Sequence, residues 1–420
     1  VRRVATGTRA APPISAQRHD IGFQVRFGAM TTGTYHHSDD ISYPSSFGFV
    51  LIHLGCFAAI WTGFTWRAAV LAVVLYLLRI FAIGAGYHRY FAHRAFRTSR
   101  VMQFCLAFVA QTSAQRGALW WASKHRLHHK YSDTAGDVHS PVLRGFLYSH
   151  VGWIFVPRND VTEYAIVRDL VRYKELVWLN RQPYTPAAVL AVATWLIAGW
   201  PGLVIGFCWS TVVLWHATFC INSLAHVVGR QRYVTGDQSR NNWLLALLTM
   251  GEGWHNNHHA YQASVRQGFR WWEYDPTYYI LRLLSWFGIV WDLHLPPKTV
   301  ISGEHRLGRL VIDKVACQIA ASFPINQIAN QVHESLALTA GWSELKARIS
   351  SARTQAETFW SEVDLPVVPS LEEVRRYARE RIAQTPSLEE IAVRARERLL
   401  ELVYSRLSEA AGLSPSLSAA

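Results

Sequence analysis

The chain is poor in cysteine. Five occur in 420 residues, at Cys56, Cys105, Cys208, Cys220 and Cys317, and no two form a CxxC pair. That excludes a disulfide framework and a cysteine-held metal. Four of the five lie in apolar stretches, where cysteine packs as a small hydrophobe. A Walker phosphate loop and a GxGxxG fingerprint are also missing. Acidic side chains are scarce, 29 against 42 Lys and Arg, for a formal net charge of +13. Such a charge suits a surface lying on anionic lipid head groups. It would suit nucleic acid equally, but no nucleic-acid motif accompanies it. The start, VRRVATGTRA, lacks the apolar core of a secretory signal. We expect translation to begin at Met30, with residues 1–29 either absent from the native protein or a disordered arm, and take 1–46 as an N-terminal arm.

Charge is also absent from long tracts. Residues 47–66 carry none, 67–86 carry only Arg67 and Arg79, and 187–222 contain no Lys, Arg, Asp or Glu. A bilayer core of about 30 Å needs roughly 20 apolar residues in a helix. The third tract approaches twice that and is broken at Gly199-Trp200-Pro201-Gly202, a strong turn signal. The pattern predicts an all-α membrane protein with four spans in two hairpins, about 47–65, 67–87, 187–200 and 202–221. Core helices of a soluble enzyme are the alternative, which charge-free runs of this length disfavour. The hairpin turns hold only Arg67, whereas basic residues crowd 88–186 and the chain after 222. Both termini and the long middle loop are therefore expected on the cytoplasmic side.

What is abundant is histidine. Nineteen occur, and nine fall into four clusters: His88 and His93 in HRYFAH, His125, His128 and His129 in HRLHH, His226 in NSLAH, and His255, His258 and His259 in HNNHH. Positions i, i+3 and i+4 share a helix face, so each HxxHH aims three imidazoles at one volume. Nine nitrogens are too many for one metal and suit two. Neutral imidazole accepts Fe, Zn, Cu or Ni. One HxxHH alone is often a surface or internally satisfied cluster; four clusters beside membrane exits point to a metal site. Other patterns are set aside. Glu252 and His255 make an ExxH pair, but carboxylate di-iron bundles need two. His333-Glu334 begins an HExxH that Ala337 breaks. His53 and His216 lie within spans, where a hydrogen-bonded packing role is favoured over a functional one. His139 and His150 are assigned supporting roles.

These residues carry a family resemblance. From about 83 to 292, through GAGYHRYFAHRAF, WWASKHRLHHKYSDTAGDVHSP, GFLYSHVGW, NSLAHVVGRQRY and GEGWHNNHHAYQ, the sequence strongly resembles the stearoyl-CoA (delta-9) desaturases of the membrane fatty-acid desaturase superfamily. The resemblance implies a cytosolic helical cap on four transmembrane helices, holding a di-iron centre. One iron would be bound by His88, His93, His125, His129 and His258. The other would take His128, His226, His255 and His259, with Asn222 holding a metal-bound water or, alternatively, capping a helix end. The implied reaction places a cis double bond, by family preference at delta-9, in a saturated acyl chain, using O2 and two electrons.

Gln115, Trp121 and Thr218 keep the family's substrate-side pattern. Phe219 stands where Trp is usual, keeping bulk but losing the indole N–H. Ser123-Lys124 replace an Arg-Asp pair that helps hold CoA, so an acyl-lipid or carrier-protein substrate stays open beside acyl-CoA. Lys124, Arg126 and Lys130 would grip an anionic head group or serve as ordinary cytosolic charges. A di-iron hydroxylase shares the scaffold and is the enzymatic alternative. A metal transporter would place its ligands at mid-membrane depth, unlike these clusters. No HPGG haem motif, flavin fingerprint or iron–sulfur cysteine set is present, so a separate donor is implied: cytochrome b5, ferredoxin, rubredoxin or a reductase. We take 47–294 as the desaturase domain and 295–420 as a helical extension. The apolar stretch 278–291 is too short to span and is expected in the interface or on the cap. The extension carries two copies of Pro-Ser-Leu-Glu-Glu, from Pro369 and Pro386, each a helix-start signal, and is expected to be a solvated appendage, with surface or donor docking as the alternative.

Overall fold

The computed structural model describes residues 47–340 and 367–410; the expected arm and the start at Met30 lie outside the described residues. The chain is almost wholly helical, with one short antiparallel pair, Arg97–Thr98 against Val290–Trp291.

Two stretches are long and apolar enough to cross a bilayer, Trp66–Ala92 and Thr185–His226, and a shorter apolar helical stretch, Phe47–Thr62, precedes them. The longer one is not a continuous rod. Ala198 and Gly199 leave helical geometry, Gly199 at φ 61°, a conformation that glycine adopts without steric cost. The chain doubles back so tightly that a Cβ on Gly202 would lie 2.2 Å from the Thr194 carbonyl oxygen. The break expected at 199–202 is therefore a helical hairpin. Trp61, Trp66 and Trp200 stand 81 %, 70 % and 61 % exposed near the two turns, as tryptophan does at a membrane–water boundary.

Arg79, the charge inside the second apolar tract, is fully buried. Its guanidinium donates to Thr211 Oγ1 (2.8 Å), Ser210 Oγ (2.5 Å) and the Leu75 carbonyl (3.1 Å). Two hydroxyls of the neighbouring helix thus satisfy it in a setting where a lone charge would be costly.

At its C-terminal end the Trp66–Ala92 helix widens into π geometry over Ala82–Ala92. An α-helix would put positions five apart about 140° from one another; the π form closes i to i+5, as in the His93 N–H to His88 carbonyl bond of 3.2 Å. The HxxxxH spacing thereby shares one face. Around this segment the cap is built from Arg100–Gln111, Ala118–Tyr131 and loops between 222 and 297, over a core including Tyr87, Phe91, Phe96, Leu119, Leu170 and Leu281. The apolar segment Pro276–Trp286 docks on that core through Leu281.

The C-terminal region is helical, as expected, and its helices share a core of their own. Arg309–Ala321, Ile325–Ala340, Leu371–Arg381 and Leu388–Ala410 pack around their own core, with Ile312, Ile319, Val332, Val374, Ile391 and Leu399 buried. It meets the cap where Gln318 Nε2 donates to the Gly236 carbonyl at 3.1 Å and Lys314 Cβ lies 3.1 Å from where a Gly236 Cβ would stand. The two Pro-Ser repeats diverge in use. Ser370 closes a capping box with Glu373, whereas Ser387 Oγ accepts from the Leu307 N–H at 3.0 Å and ties the bundle to the chain leading into it.

Candidate metal centre

The clusters separate in the sequence converge in space. His88 and His93 come from the π segment, His125, His128 and His129 from Ala118–Tyr131, His226 from the turn after Ser210–Asn222, and His255, His258 and His259 from His255–Ala260. Two groups form: His88, His93, His125, His129 and His258, and His128, His226, His255 and His259, each with its ligand atoms within 4.8 Å of one another. Alternate residues of each HxxHH thus face different groups. The two asparagines of HNNHH lock the third box. Asn256 Oδ1 accepts from the Arg232 and Tyr233 amides at 2.7 and 2.8 Å, and Asn257 Nδ2 donates to Glu273 at 2.8 Å.

The donor set fits a metal. In the five-histidine group, Nε2 atoms face one another at 2.9 Å, from His88 to His258, His258 to His129, His129 to His125 and His125 to His93. A ring nitrogen either donates its one proton or accepts, and in this run of four contacts His258, His129 and His125 each use one Nε2 twice, so the contacts are not ordinary one-to-one hydrogen bonds. Burial first, then neighbouring imidazoles, push His125, His129, His255 and His258 well below the usual histidine range. These four rings are thereby biased to the neutral form, which leaves each a lone pair for a metal. Nε2 of His128 and of His259 are buried without any protein partner.

Carboxylates behind the rings set the tautomers. His128, His226 and His259 bond through Nδ1 to Asp137 (2.9 Å), Asp133 (3.0 Å) and Asp237 (2.7 Å). Each Nδ1–H is thereby occupied and each Nε2 left free to ligate. In the other group His88 Nδ1 bonds to Glu252. Glu252 also takes Arg89 Nη2 at 2.9 Å, and Arg89 is buried against Asp275. Burial alone would raise the Glu252 carboxyl, but His88 and Arg89 outweigh it and hold it down to about 2. Gly84 makes room for this carboxylate, since a Cβ there would come within 2.8 Å of Glu252 Oε1. Sequence reading missed these four carboxylates. Glu252 was noticed only as an incomplete ExxH, and the spacing of Asp133 and Asp137 after the second box was the signal available for that pair.

Both groups open on one cavity, whose wall includes His88, His125, His128, His255 and Asn222 and whose remainder is largely apolar. The expected substrate-side residues Gln115, Trp121, Lys124, Thr218 and Phe219 all line it. Gln115 Nε2 donates to Thr218 Oγ1 at 2.9 Å, bridging two elements across the wall, and Trp121 stacks on His125 at 4.8 Å. The cations expected to grip a head group are mostly engaged. Lys124 is 5 % exposed and lies 3.6 Å from Glu163, while Arg126 pairs with Asp169 at 2.8 Å. Lys130 sits over the Tyr131 ring. His139 is buried with its ring 4.4 Å from that of His128.

Buried imidazoles gathered at the wall of a largely apolar cavity make two donor groups that could hold metal ions beside an apolar chain. The chain belongs to the fatty acid desaturase family, whose profile matches residues 64–288; it is an oxidoreductase that desaturates an acyl chain. It is 37 % identical over 249 residues to acyl-CoA 5-desaturase AL21 of Anemone leveillei, covering 58 % of this chain and 77 % of that one. It is 34 % identical over 290 residues to sn-1 stearoyl-lipid 9-desaturase of Synechocystis sp., covering 67 % and 90 %, and 32 % identical over 277 residues to a probable acyl-CoA desaturase of Schizosaccharomyces pombe, covering 62 % and 56 %.

Proposed function

We propose that the protein is a four-span membrane desaturase that holds two iron ions and introduces a cis double bond, at delta-9, into a saturated acyl chain carried as acyl-CoA. His88, His93, His125, His129 and His258 would hold one ion. His128, His226, His255 and His259 would hold the other, with Asn222 reaching it through a water. The observation that carries this reading is the convergence of nine imidazoles, four of them with a carboxylate behind the ring, beside a largely apolar cavity. When bound, the iron pair supplies dioxygen activation and removal of hydrogen from an unactivated carbon chain. The protein's own residues supply placement. Trp121 and the Gln115–Thr218 bridge shape the wall, and Phe219 fills the side beneath Asn222. A chain held at one depth is presented at one pair of carbons.

The hairpin at Gly199, the exposed tryptophans near both turns and the basic character of 88–186 support four spans with termini and site on the cytoplasmic side. The electron donor would be a separate protein, cytochrome b5, ferredoxin, rubredoxin or a reductase. A lipid-linked acyl substrate is the second reading. The pairing of Lys124 with Glu163 and of Arg126 with Asp169 favours it, because it leaves fewer free cations for the CoA phosphates.

The test is expression in a host with a compatible donor, followed by mass-spectrometric localisation of double bonds in its acyl-CoA and lipid pools, beside a His128→Ala control. A new monounsaturated chain absent from the control is expected, and the pool in which it first appears identifies the carrier. A hydroxylated product would replace desaturation by the sister chemistry.

A further inference from the structure

Three histidines outside the two groups bond to one another. His53 on Phe47–Cys56 and His216 on Ser210–Asn222 meet Nε2 to Nε2 at 3.1 Å. His216 Nδ1 lies 3.0 Å from Nε2 of His150, at the end of Phe146–His150. The outer nitrogens are engaged too: His53 Nδ1 with the Phe49 carbonyl at 2.8 Å, and His150 Nδ1 with Ser223 Oγ at 3.0 Å. His53 lies six residues inside its helix start and His216 six before Asn222, so both sit about 9 Å in from the same end of the bundle. The packing role expected of two separate intramembrane histidines is thus a single chain of three rings.

Counting hydrogens gives this chain its chemistry. Four links need four hydrogens, and three neutral imidazoles bring three. The fourth has two sources. In one state the Ser223 hydroxyl turns onto His150 Nδ1, each ring donates onward, and His53 Nδ1–H ends on Phe49. In the other, Ser223 donates to the Phe219 carbonyl, 2.9 Å away, His150 and His216 take the opposite tautomers, and the chain holds one extra proton, with both nitrogens of His53 protonated. The states interconvert by concerted hops. A hydronium ion at the part-buried His150 end gives up one proton and becomes water: Ser223 Oγ takes that proton as its own hydroxyl proton forms the N–H bond at His150 Nδ1, the His150 Nε2 proton passes to His216 Nδ1 and the His216 Nε2 proton passes to His53 Nε2; release is the reverse.

The chain lies behind the cavity wall, separated from it by two phenylalanines. The Phe49 ring is 4.2 Å from that of His53, Phe219 is 5.9 Å from His150 and 6.1 Å from His216, and both phenylalanines line the cavity with Asn222, the neighbour of Ser223. The titratable groups acting on His216 are His150 and His53. The same helices otherwise carry Cys56, Cys220 and Tyr148, the last stacked under Arg144.

Desaturation consumes protons: R–CH2–CH2–R′ + O2 + 2 e− + 2 H+ gives R–CH=CH–R′ + 2 H2O, the electrons coming from the separate donor. A largely apolar cavity has no ready source of them. We propose that His53, His216 and His150 are a one-proton store and relay that serves the cavity wall at Asn222 through the adjoining Ser223, an inference that rests on the desaturase reading for its use but not for its existence.

The deciding variant is His216→Gln. The amide donates to His53 and accepts from His150, keeping both neutral links, but cannot pass a proton. Holoenzyme with isotope-labelled histidine, titrated by infrared difference spectroscopy without donor or substrate, is expected to show one proton taken up collectively, a signal lost in His216→Gln at unchanged iron content. In turnover the variant should lose about 100-fold in kcat, the lower end of general acid–base contributions, gain a solvent deuterium isotope effect and reduce more O2 per product. A wild-type titration with no collective proton, or a variant matching wild type in rate and isotope effect, overturns the relay and leaves a structural strut. A collective proton in a protein that makes no alkene overturns the desaturase reading instead.

Discussion

The two histidine groups differ in what stands behind them. The five-histidine group leans on one carboxylate, Glu252, which touches only His88 and is shared with Arg89. The four-histidine group has a carboxylate behind three of its four rings, Asp137, Asp133 and Asp237. It also has a neighbour the other lacks. The C-terminal bundle sets Gln318 and Lys314 against Gly236, beside Asp237, and burial lowers the Lys314 ammonium while Asp237, Asp137 and Asp133 raise it. One group gathers many imidazoles with little charge behind them, the other fewer imidazoles with much. Fewer, more basic ligands in a rigid frame should hold their ion through oriented carboxylates, and more ligands through number.

That contrast can be broken in stages. His128→Ala removes a ligand outright and is expected to abolish product, measured as monounsaturated acid in the expressing host. Asp237→Asn keeps the shape but weakens the ligand behind it. Iron affinity of the four-histidine group should fall about 10- to 100-fold, read by metal analysis after dialysis against a chelator, with the other ion retained. Glu252→Gln should do less, nearer the lower end of that range, because four of the five rings do not touch Glu252 and Asp275 still pairs Arg89; the same dialysis then shows loss from the five-histidine group. Lys314→Met should be smallest, a few-fold change confined to the four-histidine group, since the ammonium acts on the carboxylates without a close ion pair among the described residues. Equal effects of Asp237→Asn and Glu252→Gln on both ions would erase the distinction.

Much of this was legible in the sequence. The imidazoles are marked by spacing, the hairpin by Gly199 to Gly202 and the apolar tracts by missing charge. What was not legible depends on contacts distant in the chain. Asp237 finds His259 across 22 residues and Glu252 finds His88 across 164, and neither partner is implied by local pattern. The π turn that aligns His88 with His93 has no signature comparable to a heptad. His53 and His216, read one at a time, suggested packing; only their meeting across 163 residues makes them a chain. The C-terminal helices were readable from their caps, but amphipathic helices that pack on one another look, in sequence, like helices that face water.

The most direct test of the account is iron counting with Mössbauer spectroscopy on the purified, iron-57-loaded protein and its Asp237→Asn variant. Two irons per chain with two distinct quadrupole doublets, one of them selectively lost in the variant, is the result expected of two unlike histidine sites. A single iron per chain, or two that leave together, would contradict it.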